Sequence, residues 1–145
     1  MPKNKYAVGG LFSGVGGIEL GFEKAGYEIS WANEFDPNAC ITYRANFKEH
    51  FLIEQDIWTL IDNDYKDNGK ELNGIDVLVG GFPCQAFSVA GYRKGFEDSR
   101  GNLFFAITEF ISHFQPKAFI LENVKNLERH DGGKTFGRIY SELDN

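Results

Sequence analysis

Cys84 sits in the stretch Gly80-Gly81-Phe82-Pro83-Cys84-Gln85-Ala86-Phe87-Ser88, directly after the apolar run Ile75-Asp76-Val77-Leu78-Val79. A branched run bounded by glycines reads as a buried strand, so the thiol is delivered to a loop at a strand's carboxyl end, where open α/β sheets bind ligands. Pro83 fixes its own φ and holds Phe82 extended, so backbone stiffness sets the direction of the thiol. Free cysteines mostly fill cores as small hydrophobes, but a core position has no need of two glycines and a proline beside it. The chemistry this suits is nucleophilic attack by a thiolate.

A second group of residues suits a nucleoside. Gly14-Val15-Gly16-Gly17 lets the backbone approach a ligand and opens a helix. The third glycine of a dinucleotide fingerprint is replaced by Glu19, which disfavours a nicotinamide or flavin oxidoreductase. Glu34, ending a strand, is placed to accept hydrogen bonds from ribose hydroxyls. Asp56, ending the next, can accept from an adenine amino group while Phe35 and Ile57 sandwich the ring.

The cysteine loop resembles the nucleophile loop of the DNA cytosine-5 methyltransferases. Gly91-Tyr92-Arg93-Lys94-Gly95-Phe96-Glu97-Asp98-Ser99-Arg100-Gly101 is similar to that family's sequence after its cysteine, and Leu121-Glu122-Asn123-Val124-Lys125-Asn126-Leu127 to its Glu-Asn-Val motif. Phe12-Ser13-Gly14-Val15-Gly16-Gly17 resembles the family's S-adenosyl-L-methionine motif, Asn33-Glu34-Phe35-Asp36 its ribose segment and Gln55-Asp56-Ile57 its adenine segment. The resemblance implies that Pro83 and Leu103 also line the cofactor pocket, and that the product is S-adenosyl-L-homocysteine. It implies double-stranded DNA as partner, with Gln85, Ser88, Arg93, Lys94 and Arg100 on a loop that closes on the DNA, in the setting of restriction-modification.

Carbon 5 of cytosine is a poor nucleophile while the ring is aromatic. A thiolate added at carbon 6 turns carbon 5 into an enamine-like carbon, and a proton donor must serve N3 as charge builds there. The resemblance assigns these roles to Cys84 and Glu122, with Asn123 supporting the nucleophile's loop. Glu122 then calls for a partly buried carboxylate that holds its proton, and the preceding Ala118-Phe119-Ile120-Leu121 offers such surroundings. A base inside a duplex cannot present carbon 6, so the nucleotide must swing out of the stack.

The resemblance runs from about Leu11 to Leu143 but reaches only the front of the family's architecture. Residues 1–145 read as the N-terminal part of the cofactor-binding catalytic domain; the target-recognition domain and the C-terminal motifs are absent. A second chain or a missing C-terminal half would complete the sheet, and this piece alone is expected to transfer little or no methyl. A tRNA cytosine-5 methyltransferase and a non-catalytic module that keeps the cofactor fold are the alternatives. Amino-methylating relatives place a polar residue, two prolines and an aromatic where Phe82-Pro83-Cys84 stands.

The elements that must position these residues follow from periodicity. Tyr6–Phe12, Glu28–Asn33, Phe51–Gln55, Ile75–Val79 and Lys117–Leu121 read as strands, separated by helical patterns after Gly17, after Asp36-Pro37, and over Asn102–Phe114 and Phe136–Leu143. This rhythm predicts an α/β fold: a Rossmann-like, doubly wound parallel sheet of the S-adenosylmethionine-dependent methyltransferase type, in order 3-2-1-4-5 and stopping after about five strands. Asp62–Gly74 reads as a polar surface loop, and Cys40 as a core residue on the stripe of its helix.

Composition agrees. The 145 residues are 42% hydrophobic, with 14 phenylalanines, enough for one packed domain. Two cysteines make no disulfide framework and no zinc spacing, so no metal is expected. No window suits a signal peptide or a membrane span, and a cytoplasmic protein is expected. The net charge of −6, from 15 basic and 21 acidic residues, is not that of a module that holds nucleic acid by itself. Arg93, Lys94 and Arg100 flank the cysteine loop and Lys117, Lys125, Arg129, Lys134 and Arg138 populate the last third, and DNA contact is expected to be confined to that side.

Overall fold

The computed structural model of the chain describes residues 5–83 and 103–144. Cys84, Gln85, Ser88, Arg93, Lys94 and Arg100 lie outside the described residues. In chain order the elements are β1 (Ala7–Leu11), α1 (Gly17–Lys24), β2 (Glu28–Asn33), α2 (Pro37–Asn46), β3 (Leu52–Ile53), α3 (Ile57–Asp62), β4 (Lys66–Asp67), β5 (Lys70–Glu71), β6 (Val77–Gly81), α4 (Leu103–Phe114), β7 (Ala118–Glu122), a 3-10 segment (Lys125–Gly133) and α5 (Lys134–Leu143). Five strands form one sheet in the order β3-β2-β1-β6-β7, every pair parallel. With the small β4–β5 pair set aside, this is the 3-2-1-4-5 order that the alternation of strands and helices predicts.

The local chemistry explains where elements start and stop. Asp36 caps α2, its carboxylate accepting from the Ala39 amide at 2.8 Å, and Pro37 occupies the first turn, where a missing N–H costs nothing. Gly26, at φ 92°, ends the connection from α1 in a conformation that a β-carbon would strain. Leu11, Trp31, Ile53, Leu78, Phe104, Ile107 and Phe110 are buried between the sheet and α4. Trp31 explains a glycine in mid-strand: a β-carbon on Gly9 would lie 2.5 Å from its ring.

The far rim of the sheet is laced by one side chain. Asp76 accepts from the Ala7 amide at 2.8 Å and from Lys117 Nζ at 2.6 Å, joining the starts of β1, β6 and β7. The Lys117 ammonium and, after it, the Ala7 amide hold the Asp76 carboxyl below the usual aspartate value. At the flank of the sheet, β7 pairs with β6 alone among the described residues, leaving Phe119 and Ile120 exposed.

Residues 62–74 depart from the surface loop that their polarity suggests. They form the antiparallel β4–β5 pair, closed by Asn68-Gly69 at φ 49° and 79°, and they bury Tyr65 and Leu72 in the core. Tyr65 stacks on His113 of α4 with ring centroids 3.7 Å apart. Tyr65 packed on α4 and Leu72 buried in the core fix a segment that hydrophilic composition alone leaves undecided. No helix among the described residues is long and apolar enough to cross a membrane.

Candidate active site

The carboxyl ends of β1, β2, β3, β6 and β7 share one rim, and the residues singled out above are distributed along it. After β1 the chain turns through Phe12 to Gly16. Phe12 takes the left-handed φ of 52°, which is rare for a residue with a β-carbon and marks a backbone held by its surroundings. The Ser13 amide donates to the Asn33 carbonyl at 3.0 Å and the Gly16 amide to the Ser13 carbonyl at 2.9 Å. Gly16 lacks room for a side chain, since a β-carbon would press on Phe47 and Tyr43.

Glu34 ties this turn to β2. Its Oε2 accepts from the Gly14 amide at 2.6 Å, and its Oε1 accepts from the amides of Phe35 at 2.7 Å and Asp36 at 2.9 Å. A carboxylate has about four lone-pair sites, so three amides leave room for further donors. Asp56 is likewise engaged: its Oδ1 caps α3 by accepting from Trp58 and Thr59 amides at 2.9 and 3.3 Å. Both acids expected to meet a nucleoside are therefore aimed by backbone amides.

Between these groups lies a cavity of about 350 Å³, within the range of small-ligand sites. Phe12, Glu34, Phe35, Asp56, Ile57, Pro83 and Leu103 line it, bringing together seven of the residues expected to hold a cofactor. Ile57 forms a buried wall and Phe35 is 68% exposed at the mouth. Ser13, Gly14, Gly16 and Gly17 are not among the lining residues; Ser13 and Gly16 are buried beneath the turn.

Asn33, Asp36 and Gly81 also line the cavity; the sequence offers them only as members of the ribose segment and of the cysteine stretch, with no role of their own at the cofactor. Asn33 donates through Nδ2 to the carbonyls of Ile53 and Gln55 at 3.1 and 2.9 Å, fixing the end of β2 against β3. A buried amide directly before a strand-end acid was the available signal. Among the described residues, the lining carries the carboxylates of Glu34, Asp36 and Asp56 and neither lysine nor arginine. Three carboxylates, which accept hydrogen bonds and carry negative charge, fit a cationic adenosyl cofactor.

On the nucleophile side, Pro83 is exposed and closes one wall of the same cavity, one residue before Cys84. Asn123 Nδ2 donates to the Phe82 carbonyl at 2.8 Å, while its Oδ1 accepts from the Val124 amide at 2.8 Å. Glu122 lies across the β6–β7 register from Gly81, and a β-carbon there would meet Glu122 Oε2 at 3.0 Å. The expectation of a partly buried Glu122 is corrected: its side chain is exposed, because β7 flanks the sheet and nothing described packs over its outer end. Cys40 is buried, with Sγ 3.7 Å from the Glu34 carbonyl, and burial pushes its thiol up.

The family model described as C-5 cytosine-specific DNA methylase matches residues 6–145. The chain is 52% identical over 139 residues to the Type II methyltransferase M.Bsp6I of Bacillus sp. (strain RFL6), covering 94% of this chain and 42% of that protein. It is 49% identical over 133 residues to the Type II methyltransferase M.NgoBI of Neisseria gonorrhoeae, covering 92% and 39%. The chain thus spans about two fifths of the curated relatives it matches. Among solved structures, a prophage-encoded DNA modification methyltransferase from E. coli superposes with a TM-score of 0.70 at 26% identity, over 97% of this chain and 38% of that one. The S. pombe Dnmt2 methyltransferase shares the fold, with a TM-score of 0.66 at 24% identity over 94% and 42%.

Proposed function

Because the chain belongs to the C-5 cytosine-specific DNA methylase family, we propose that the protein it represents methylates carbon 5 of a flipped-out cytosine in double-stranded DNA, within a restriction-modification system. The observation that carries this reading is the cavity whose walls include both Glu34, aimed by the glycine turn, and Pro83, the residue before Cys84. A cofactor held there lies next to the loop that bears the nucleophile. S-adenosyl-L-methionine, when bound, supplies an electrophilic methyl group.

The chain's own residues divide the remaining work. Phe12, Phe35 and Ile57 give the apolar walls, and Glu34 and Asp56 the acceptors for ribose hydroxyls and an adenine amino group. Cys84, as thiolate, adds to carbon 6 of the cytosine; the carbon 5–carbon 6 double bond opens and its electrons pass toward carbon 5 and N3. Glu122 shares a proton with N3 as that charge builds, the flipped base covering a carboxyl that is exposed in its absence. Once carbon 5 is methylated, loss of its proton and expulsion of the Cys84 thiolate restore the aromatic ring. Asn123 holds the Phe82 carbonyl and so the root of the nucleophile's loop. Gln85, Ser88, Arg93, Lys94 and Arg100 are assigned to the DNA.

The test uses the full-length protein and a duplex carrying 5-fluorocytosine, in which loss of the carbon 5 proton is blocked and the adduct accumulates. A covalent complex that depends on S-adenosyl-L-methionine and disappears in Cys84→Ser is expected. Intact DNA binding with no adduct sinks the reading. Trapping on a tRNA but not on the duplex transfers the chemistry to RNA.

A further inference from the structure

Glu19 of α1 is buried to 1% exposure, the most buried acid among the described residues, and nothing in the proposed chemistry uses it. Its carboxyl lies over strand β1: a β-carbon on Gly10 would collide with Glu19 Oε1 and stand 2.9 Å from Ser13 Oγ. Two side-chain oxygens therefore crowd over one glycine, under the first residues of the cofactor turn. Ser13 Oγ and Glu19 Oε2 are both buried without a well-formed hydrogen bond. The Ser13 hydroxyl can donate to one carboxyl oxygen, but Glu19 Oε2 stays buried with no donor of its own, and a carboxyl in that setting is favoured as the neutral acid.

We propose that Glu19 is a positioning residue for the cofactor turn: as a neutral acid it supports Ser13 and Gly10 from below and keeps the Ser13–Gly16 turn shaped for the adenosyl cofactor, and its ionisation releases that turn. This rests on the cofactor reading given above. The groups around it make the neutral form the stable one. Burial pushes the Glu19 carboxyl up; the Ser13 hydroxyl, the Glu19 amide and, farther off, His50 pull the other way, and Glu34 adds to the rise. From α2, Tyr43 faces it as a buried phenol, itself pushed up by burial and by Glu19 and Glu23, and no lysine or arginine is among these groups. Among the described residues, a charge created at Glu19 has no lysine or arginine beside it, and relief comes from moving the turn.

A carboxyl whose value is raised in the native state favours that state at low pH, and the advantage is lost as pH climbs from the ordinary glutamate value of 4.5 through the raised one. Binding that requires the neutral form then weakens about tenfold per pH unit above the raised value. Glu19→Gln keeps the size and a donor without a titrating proton.

The test titrates the full-length protein with S-adenosylhomocysteine by calorimetry from about pH 5 to about pH 9. The unaltered protein should lose at least tenfold in affinity across that range, while Glu19→Gln stays level within about twofold and Glu19→Ala binds weakly throughout. The same pH profile in Glu19→Gln as in the unaltered protein overturns the inference, and so does Glu19→Ala binding as tightly as either. Failure of every form to bind S-adenosylhomocysteine at any pH removes the cofactor reading and this inference with it. Thermal midpoints of the same proteins give an independent readout: the advantage of Glu19→Gln over the unaltered protein should widen as pH rises, and a constant difference counts against the proposal.

Discussion

Asn123 Nδ2 donates to the carbonyl oxygen of Phe82 at 2.8 Å, so the first residue past β7 holds the chain two residues before Cys84. The bond crosses between the two strands whose ends carry the assigned nucleophile and acid, and its donor turns back through Oδ1 to the Val124 amide. One amide side chain thus fixes two loop roots at once.

Asn123→Ala should lower stability by about 1 kcal/mol, the ordinary net worth of such a bond, and slow adduct formation on a 5-fluorocytosine duplex by more than tenfold. S-adenosylhomocysteine affinity should change by less than about threefold, since Asn123 does not line the cofactor cavity. Asn123→Asp should be at least as damaging, because it sets a carboxylate against a carbonyl. Equal losses in trapping and in cofactor affinity would count against the positioning role.

Glu34 is held by three backbone amides, so its removal should act on the turn as well as on the ligand. Glu34→Ala should weaken S-adenosylhomocysteine binding by about ten- to a hundredfold, matching one or two lost charge-assisted hydrogen bonds. Glu34→Gln should recover little of this, since its amide nitrogen must face the Gly14 amide or those of Phe35 and Asp36. Hydrogen exchange at Gly14 should quicken in both variants. Unchanged exchange there would show that the turn stands without Glu34.

Gly9 and Trp31 were each readable in the sequence as strand residues, but not as a pair. Gly9→Ala should destabilise by about 1–3 kcal/mol by driving a methyl into the indole. In a Trp31→Phe background the same change should cost less than half as much, and a double-mutant cycle in urea measures the difference. Additive effects would mean that the two residues do not meet.

Acid should unlace the far rim. Asp76 is held below the usual aspartate value, first by Lys117 and then by the Ala7 amide, so its contribution is present above about pH 4 and is lost as pH falls through the depressed value. Asp76→Asn should lower the thermal midpoint at neutral pH, and the gap to the unaltered protein should close toward pH 3. A gap that stays constant with pH would exclude Asp76 from the acid limb.

The strand–helix alternation, the capping pair Asp36-Pro37 and the acids at strand ends were legible because each is local: period, a cap and a position relative to an apolar run. The β4–β5 pair was written in Asn68-Gly69, the dipeptide that favours two positive φ angles, but two-residue strands leave too little alternation to notice. Tyr65 looks like a stray apolar residue until α4 is placed beside it, and Leu72 until the core closes over it. Glu122 shows the reverse case: an apolar strand before an acid suggests a covered site, whereas burial depends on what lies beside β7, which no run of five residues encodes. Glu19 was read only as a missing glycine, and its position under Gly10 comes from packing α1 on the sheet.

The β1–β6 pairing sets Leu11 against Gly80, and a β-carbon on Gly80 would come within 3.1 Å of the Leu11 carbonyl. Slipping one strand past the other by a single residue would carry its end about 3.3 Å along the sheet and turn every side chain on it to the opposite face. The spacing between the two half-sites is therefore counted out in whole residues. Adding one amino acid within Val77–Gly81 should abolish the assembly outright, whereas an extra residue at the Asn68-Gly69 tip should leave it in tune.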